Sequence, residues 1–410
     1  MKILHLNEHL AWRGGIETYL LSLKSHLASN GYVSAFAFAK GEQNLAKNAF
    51  CVEELASFGK KKELSAYQRV SHILKDQRID VAHIHNVHNI GAVSACLDHV
   101  PTIVTGHDYR YLCPASNFFY RRSKSICHRT CGPGCFTTTI RHRCMTPRPS
   151  FALNYYRRVK WVCDHANRFA HVVAPSHSAH DRFIQAGFDH DNVSVVPYFC
   201  PLSPLPKPRP LPSQKTILFM GRFSGNKGVE SFVAALSKLS RDVRGVMIGA
   251  SSPAQEMKIL SQAKTANCSE RLEVRSWANR DDIVNIMSEA SVLVFPSIWP
   301  ETLGIVGLEA LACGVPVVAS DVGGVREWLK PNTTGLLVPP NDSSSLASAC
   351  AKLIDNTELQ KSMGEAGLKL IADQFLPSQH VCKLVRIYDQ AACQRNRLPS
   401  SPVVATESLS

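Results

Sequence analysis

SVLVFPSIWPETLGIVGLEALACGVPVVAS, Ser291 to Ser320, reads as strand, loop, core helix and strand in succession. Ser291 to Phe295 is apolar and of strand length, Pro296 stops it, and Leu303 to Ala312 is apolar enough for a packed helix. Glu301 stands before that helix and Glu309 inside it. With a start near Gly304, Glu309 lies about 8 Å along the axis at about 1.5 Å per residue. Between the carboxylates lie free first-turn N–H groups and the positive end of the helix dipole, which suit phosphate, while each acid can accept from hydroxyl groups on its own side. Ribose, diphosphate and sugar have that layout. A glutamate at a helix start also favours the dipole by itself. Glu309, however, has apolar or small neighbours on nearly every helical face, so its charge needs a partner.

A second cluster supplies cations. Thr216 to Met220 is an apolar strand running into Gly221-Arg222-Phe223-Ser224-Gly225-Asn226-Lys227-Gly228, and a helical pattern follows from Phe232 to Leu239. Strand, glycine-rich turn and helix is the order of a phosphate cradle, with Arg222 and Lys227 to neutralise a diphosphate. It is neither a Walker loop nor a complete dinucleotide fingerprint. At the amino terminus, Lys2 to Leu6 reads as a strand and Trp12-Arg13-Gly14-Gly15-Ile16-Glu17 as a turn into a helix. Gly14 and Gly15 permit either close approach to phosphate or an ordinary tight turn. Asp189-His190-Asp191 spells an acid-x-acid metal motif but reads as a helix-to-strand loop.

The fold class is α/β. In the first half, strand-like runs fall at Lys2–Leu6, Val33–Ala39, Val81–His85, Thr102–Thr105, His171–Ala174 and Val193–Val196. In the second they fall at Thr216–Met220, Gly245–Ile248, Leu272–Val274, Val292–Phe295, Val315–Ala319 and Gly335–Val338, with helical segments between. Such alternation implies two Rossmann-like doubly wound parallel sheets, with ligands beyond the carboxyl ends of the strands in a cleft between facing domains. The 410 residues, 45% of them hydrophobic, suffice for two cores. We expect an N-terminal domain over residues 1–197, a proline-rich linker over 198–214, a nucleotide-sugar domain over 215–373, a C-terminal helix over 374–394 and a disordered tail over 395–410.

These motifs, in this order, resemble the family-4 retaining glycosyltransferases of the GT-B fold, the group 1 glycosyl transferases. The resemblance rests on Glu301-x7-Glu309, the Gly-Arg to Lys-Gly loop of Arg222 and Lys227, Gly14-Gly15-x-Glu17, Thr105-Gly106-His107-Asp108-Tyr109 and Ala312-Cys313-Gly314-Val315-Pro316-Val317-Val318. It implies that Glu309 takes the ribose hydroxyls, Glu301 the transferred sugar, and the amides of Leu303, Gly304 and Ile305 the distal phosphate. Arg222 and Lys227 would stabilise the leaving diphosphate, His107 would approach the sugar, and the Gly14-Gly15 backbone would lie near the phosphates. It further implies retention of anomeric configuration, catalysis without a required cofactor or metal, and a final helix crossing back to the first domain. Between a covalent intermediate and front-face substitution, Glu301 as the only obvious donor-side carboxylate favours the latter. Donor base and sugar stay open: Arg275-Ser276-Trp277-Ala278-Asn279 stands where the family usually has a glycine, and Trp299-Pro300 is bulkier than a minimal loop.

Five of the 14 cysteines crowd into a segment of about 113–144. Cys127, Cys131, Cys135 and Cys144 offer enough thiolates for a structural zinc or iron–sulfur cluster, although the spacing is no standard zinc ribbon; unmetallated thiols or disulfides are the alternative. The other nine look like buried reduced thiols, and with no signal peptide or membrane span we expect a cytoplasmic protein. Net charge is +13, concentrated at Arg121, Arg122, Lys124, Arg129, Arg141, Arg143, Arg148, Arg157, Arg158 and Lys160, among Phe118, Phe119, Tyr155, Tyr156 and Trp161. That mixture suggests peripheral contact with the anionic inner face of the plasma membrane, a nucleoside-diphosphate sugar donor and a glycan or lipid-linked acceptor in cell-surface polysaccharide or glycolipid synthesis. Nothing resembles a nucleic-acid module. Rival readings are a sugar-nucleotide epimerase or phosphorylase-like enzyme on the same fold, or an inactive binding protein with a structural metal.

Overall fold

Short aliphatic runs alternating with amphipathic helices bury both faces of a sheet only if each strand returns parallel to the last through a helical crossover. The computed structural model describes all residues except Arg13, Pro147, Ser203, 207–209, 278–281 and 395–410. The expected disordered tail therefore lies outside the described residues. Met1–Arg122, Cys127–Pro197 and the chain from Pro377 form one unit, and Ser123–Ile126 with Tyr198–Leu376 form another.

The first unit carries β1 (Lys2–Leu10), β2 (Val33–Gly41), β3 (Ala49–Cys51), β4 (Val81–Ile84) and β5 (Thr102–Thr105). Two short strands, β6 (Phe119–Tyr120) and β7 (Ser125–Ile126), the latter counted with the second unit, precede β8 (His171–Ala174) and β9 (Val193–Val195) of the first. The seven strands of the main sheet are ordered β3-β2-β1-β4-β5-β8-β9, all parallel. Its helices are α1 (Gly15–Ser29), α2 (Lys60–Asp76), α3 (Ile90–His99), α4 (Gly134–His142), α5 (Pro149–Asp164) and α6 (His177–Gln185).

The second unit repeats the plan with β10 (Thr216–Met220), β11 (Arg244–Ala250), β12 (Leu272–Ser276), β13 (Val292–Phe295), β14 (Val317–Ser320) and β15 (Gly335–Val338). They form a six-stranded parallel sheet ordered β12-β11-β10-β13-β14-β15. The crossovers are α7 (Val229–Lys238), α8 (Pro253–Thr265), α9 (Ile283–Ser288), α10 (Ile305–Ala312) and α11 (Val325–Trp328). Then come α12 (Ser343–Ile354) and α13 (Thr357–Gln374), while α14 (Pro377–Cys393) belongs to the first unit, where His380 meets Tyr19 of α1 at 2.8 Å.

Every strand read from the sequence is present, with ends shifted by a few residues. β3, β6 and β7 escaped because three- and two-residue strands carry no period. The proline-dense stretch differs from a simple spacer. Tyr198, Phe199, Cys200 and Leu202 are buried, and the Cys200 N–H donates to the Phe375 carbonyl at 2.8 Å, so its first residues are core of the second unit. Ser203 and 207–209 lie outside the described residues. None of the 14 cysteines is drawn into a disulfide; Cys96, Cys200, Cys268, Cys313 and Cys350 are buried as expected, but Cys51, Cys382 and Cys393 are exposed.

Gly228 closes the loop after β10 with φ 72°, and a Cβ there would stand 1.7 Å from the Pro296 carbonyl oxygen. Side chains are excluded by both backbone angle and space. We expect Gly228→Ala to lower unfolding free energy by at least about 2 kcal/mol, whereas Gly225→Ala, with open space around it, stays within about 0.5 kcal/mol. Urea midpoints of the two variants check this.

Candidate functional site

In a doubly wound sheet the carboxyl ends of two adjacent strands diverge where the strand order reverses, and side chains from their loops meet there. In the second unit the reversal falls between the paired strands β10 and β13. The loop after β10 holds Arg222 and Lys227; the loop after β13 holds Glu301. The Ile298 N–H donates to the Asn226 carbonyl at 3.0 Å and ties the two loops together.

Lys227 Nζ then reaches Glu301 Oε1 at 2.6 Å, where Trp299 Nε1 also donates at 2.7 Å, as does the Ser297 hydroxyl. The Lys227 ammonium lies 5.1 Å from the centroid of the Trp299 ring. The Glu301 side chain is only 5% exposed, so its charge is sustained by these three donors. Its backbone is held as firmly, because the Gly324 N–H donates to its carbonyl at 2.7 Å and Trp328 Nε1 donates to the carbonyl of Leu303 at 2.8 Å. Gly304, with φ 102°, is the N-cap of α10, and no side chain caps that end. The amides beginning at Ile305 thus form an uncapped helix start beside the Glu301 loop, and Glu309 is buried on the same helix. Arg222 is exposed, and the two cations differ in setting. Trp277, at the end of β12, is 45% exposed; Ala278 and Asn279 lie outside the described residues.

The first unit presents its own reversal, between β1 and β4. Gly14 is the N-cap of α1, Gly15 its first residue, and the Gly14 carbonyl accepts from the Thr18 N–H at 3.2 Å. His107 follows β5, is buried, and is hydrogen-bonded through Nε2 to His85 Nδ1 at 2.8 Å. Burial pushes its pKa down to about 3. Next to it, Arg110 grips Asp108 with Nε at 3.0 Å and Nη2 at 2.9 Å, and donates to Glu8 at 3.1 Å; Glu8 also pairs with His88. Burial alone would raise Asp108, but the Arg110 charge and bonds hold it below the usual carboxylate range. Arg158, grouped in the sequence with the basic residues of a membrane-contacting surface, is instead buried, with its Nε and Nη1 lacking a hydrogen-bond partner.

Sequence reasoning missed Glu8, His88, Arg110 and the buried imidazoles of His5, His83 and His85. Long-range pairs such as Glu8 with Arg110 leave no local mark. His83-x-His85 did leave one, since alternate residues of a strand share a face.

Cys113, Cys127, Cys131, Cys135 and Cys144 line one cavity of about 30 Å³. A hydrogen bond from Cys131 lowers Cys135 to about 6 and raises Cys131. Among the described residues, the three potential metal ligands gathered within 4.8 Å of one another are His5, His83 and His85, so the thiols share a cavity without converging on one point.

Two family descriptions match successive parts of the chain: Glycosyltransferase Family 4 over residues 13–203 and Glycosyl transferases group 1 over 206–370. The chain is similar to the alpha-D-kanosaminyltransferase of Streptomyces kanamyceticus, 31% identical over 181 residues, 43% of this chain and 46% of that protein. It spans about half the length of the curated relatives it matches. Its structure is similar to sucrose-phosphate synthase of Thermosynechococcus elongatus, with TM-score 0.74, 18% identity and coverage of 95% and 98% of the two chains. It is also similar to Anabaena HepE in complex with UDP-glucose, with TM-score 0.69, 19% identity and coverage of 97% and 100%.

The buried histidines make stability fall in acid. Burial lowers His5 and His107 to about 3 and His380 to about 4, and His83 and His85 well below 6.5. Below pH 6.5 the unfolded chain takes up protons that the folded chain refuses, so stability is full above that pH and is lost on the way down towards 4. The expected slope is about 1.4 kcal/mol per histidine per pH unit, checked by urea unfolding at pH 7.5 and 5.5.

Proposed function

Since the chain belongs to the family-4, group 1 glycosyltransferases of the GT-B fold, we propose that it moves a hexosyl-type unit from a nucleoside-diphosphate sugar to a glycan or lipid-linked acceptor, with retention of configuration. The observation that carries this reading is the pairing of the half-buried Lys227 with the buried Glu301, set where the second sheet reverses and beside the uncapped start of α10.

Each residue then has a task that its setting suits. The N–H groups from Leu303 to Ile305 bind the distal phosphate through the positive helix end. Glu309 accepts from the ribose hydroxyls and Glu301 from those of the transferred sugar. As the anomeric carbon leaves phosphate, negative charge grows on the diphosphate, and preorganised cations aimed at that charge supply the largest catalytic contribution. Lys227, already fixed by Glu301, and the exposed Arg222 are those cations. All three donors to Glu301 converge on Oε1, and none of them reaches Oε2, which suits a hydroxyl acceptor better than an unhindered nucleophile. We therefore favour front-face substitution, in which the acceptor hydroxyl bonds to the anomeric carbon as the diphosphate departs and takes the hydroxyl proton. Asp108, clamped by Arg110, is equally unsuited to attack. The half-exposed Trp277 offers a flat face for a nucleobase. No cofactor enters this scheme, and the cysteine-lined cavity is proposed at most as a structural zinc or iron–sulfur site on which the chemistry does not depend.

The acceptor reading draws on the surface of α4 and α5. Ile140 is 83% exposed, Leu153 56% and Phe151 44%, among exposed Arg141, Arg143 and Arg148. Of the aromatic residues expected there, Phe118 and Phe119 are buried and take no part, while Tyr155, Tyr156 and Trp161 are half-buried. Exposed apolar side chains ringed by arginine fit an anionic lipid surface, and we place the protein at the cytoplasmic face of the membrane that holds a lipid-linked acceptor. No described helix is long and apolar enough to span a membrane.

Nucleoside diphosphates and their sugars should raise the melting temperature of the purified protein, and donor hydrolysis should be lost in Glu301→Gln with folding unchanged. Turnover retained by Glu301→Gln, or a glycosyl group trapped on Glu301 or Asp108 in the mass spectrum, would defeat the scheme. Cosedimentation with vesicles at low salt should favour anionic over neutral lipid and weaken in Ile140→Glu; equal binding to both refutes the membrane placement.

A further inference from the structure

Neighbouring strands of the first sheet deliver imidazoles to one place. His5 of β1 is in register with His83 of β4, His85 lies just past β4, and His107 just past β5. All four are buried. His85 uses both nitrogens within the cluster: Nε2 is 3.1 Å from His5 Nδ1, and Nδ1 is 2.8 Å from His107 Nε2. Ring centroids in these pairs are 5.4 and 5.1 Å apart, with planes tilted by 24° and 31°. Edge-to-edge rings nearly in one plane are what two in-line N–H···N bonds require, because the imidazole lone pair lies in the ring plane.

Protons in this row can be counted. A neutral imidazole carries one N–H and one lone pair, and each of the two N···N contacts needs one proton. Burial keeps His5 and His107 neutral at pH 7. The protons therefore all point towards His107 or all point towards His5. The far end decides, because His5 Nε2 is buried without a hydrogen-bond partner. If the protons pointed towards His5, that nitrogen would be a buried N–H with no acceptor; pointed the other way, it keeps only an idle lone pair. Orphaned donors are rarer in folded proteins than under-used acceptors.

We propose that the His5–His85 row fixes His107 as the tautomer with its proton on Nδ1, so that His107 serves the transferred sugar as a neutral hydrogen-bond donor rather than as a base. His5 and His85 are then positioning residues, and this rests on the proposed glycosyl transfer and on the expectation that His107 approaches the transferred sugar. The same atoms suggest a metal, since His5, His83 and His85 offer ligand nitrogens within 4.8 Å. The surroundings oppose it. His83 is occupied on both sides, by the Tyr388 hydroxyl and by Thr105 Oγ1 at 2.7 Å each. The charges acting on His83 and His85 are those of other histidines, so a divalent cation would be buried with no carboxylate to offset it.

Nitrogen-15 shifts of labelled histidine in the full chain read the tautomers directly. Wild type should show His107 protonated at Nδ1. His5→Phe, which keeps the ring shape against Phe36 but cannot donate, should release His107 into a mixture of tautomers and lower kcat roughly tenfold with donor KM unchanged. His5→Asn, whose amide N–H replaces that of Nδ1, should restore the single tautomer and keep kcat within about twofold of wild type. A wild-type His107 protonated at Nε2, an unchanged tautomer in His5→Phe, or stoichiometric metal that leaves with His5→Phe would each overturn the proposal. The wild-type measurement needs no variant to fold. His107→Ala with undiminished turnover would instead sink the assignment of His107 to the site and leave the tautomer result standing.

Discussion

A buried carboxylate must be answered by donors or it will not stay ionised, and Glu301 is where the second domain meets that demand. The ammonium comes from the loop after β10, while the indole and hydroxyl come from the loop after β13. Such an arrangement is available only where those strands are neighbours whose connections leave in opposite directions. Removing Lys227 would leave the Glu301 carboxylate buried without its ammonium, a larger penalty than the pair's own net worth, whereas the part-exposed Lys227 keeps access to water when Glu301 is neutralised. Interaction and topology therefore specify each other. A phosphate arriving at the start of α10 enters a field already shaped by one pinned cation and one exposed one, Lys227 and Arg222.

Much of this was legible in the chain. The strand Val292–Phe295, its stop at Pro296 and the helix start at Gly304 were readable because apolar runs of fixed length and a glycine with positive φ are local events. The ion pair was half legible: Lys227 and Glu301 were both singled out, but as separate ligands of one substrate, not as partners across 74 positions of sequence. Local pattern names the chemistry of a residue, and only the fold names its neighbour. The same limit explains Arg158, whose place among basic and aromatic residues suggested a membrane-contacting surface although α5 turns it inward.

In the first domain the interior beneath β1, β4 and β5 is polar where an aliphatic core would be expected, with His5, His83, His85, His107, Tyr19 and Tyr388 packed together. Burying that many imidazoles costs stability in acid and offers no hydrophobic gain that leucine would not exceed. Polar residues in a core contribute direction instead. Each hydrogen bond restricts a neighbouring ring to one orientation and one tautomer, and a row of them carries that restriction to the end of β5.

Arg158 extends the same logic. Burial, followed by repulsion from Arg110, lowers its pKa to about 10, which still leaves it charged at neutral pH. Its contacts are a 3.4 Å bond to Ser116 and the face of Tyr155 at 5.2 Å, neither of which neutralises a cation. The compensating charges are Asp108 and Glu8, which act on it from a distance because Arg110 holds both directly. Two cations and two anions thus balance as a group although only one cation is paired by contact. Loss of Arg110 would leave both carboxylates without their direct cationic partner, and Arg158 as the remaining buried guanidinium near them.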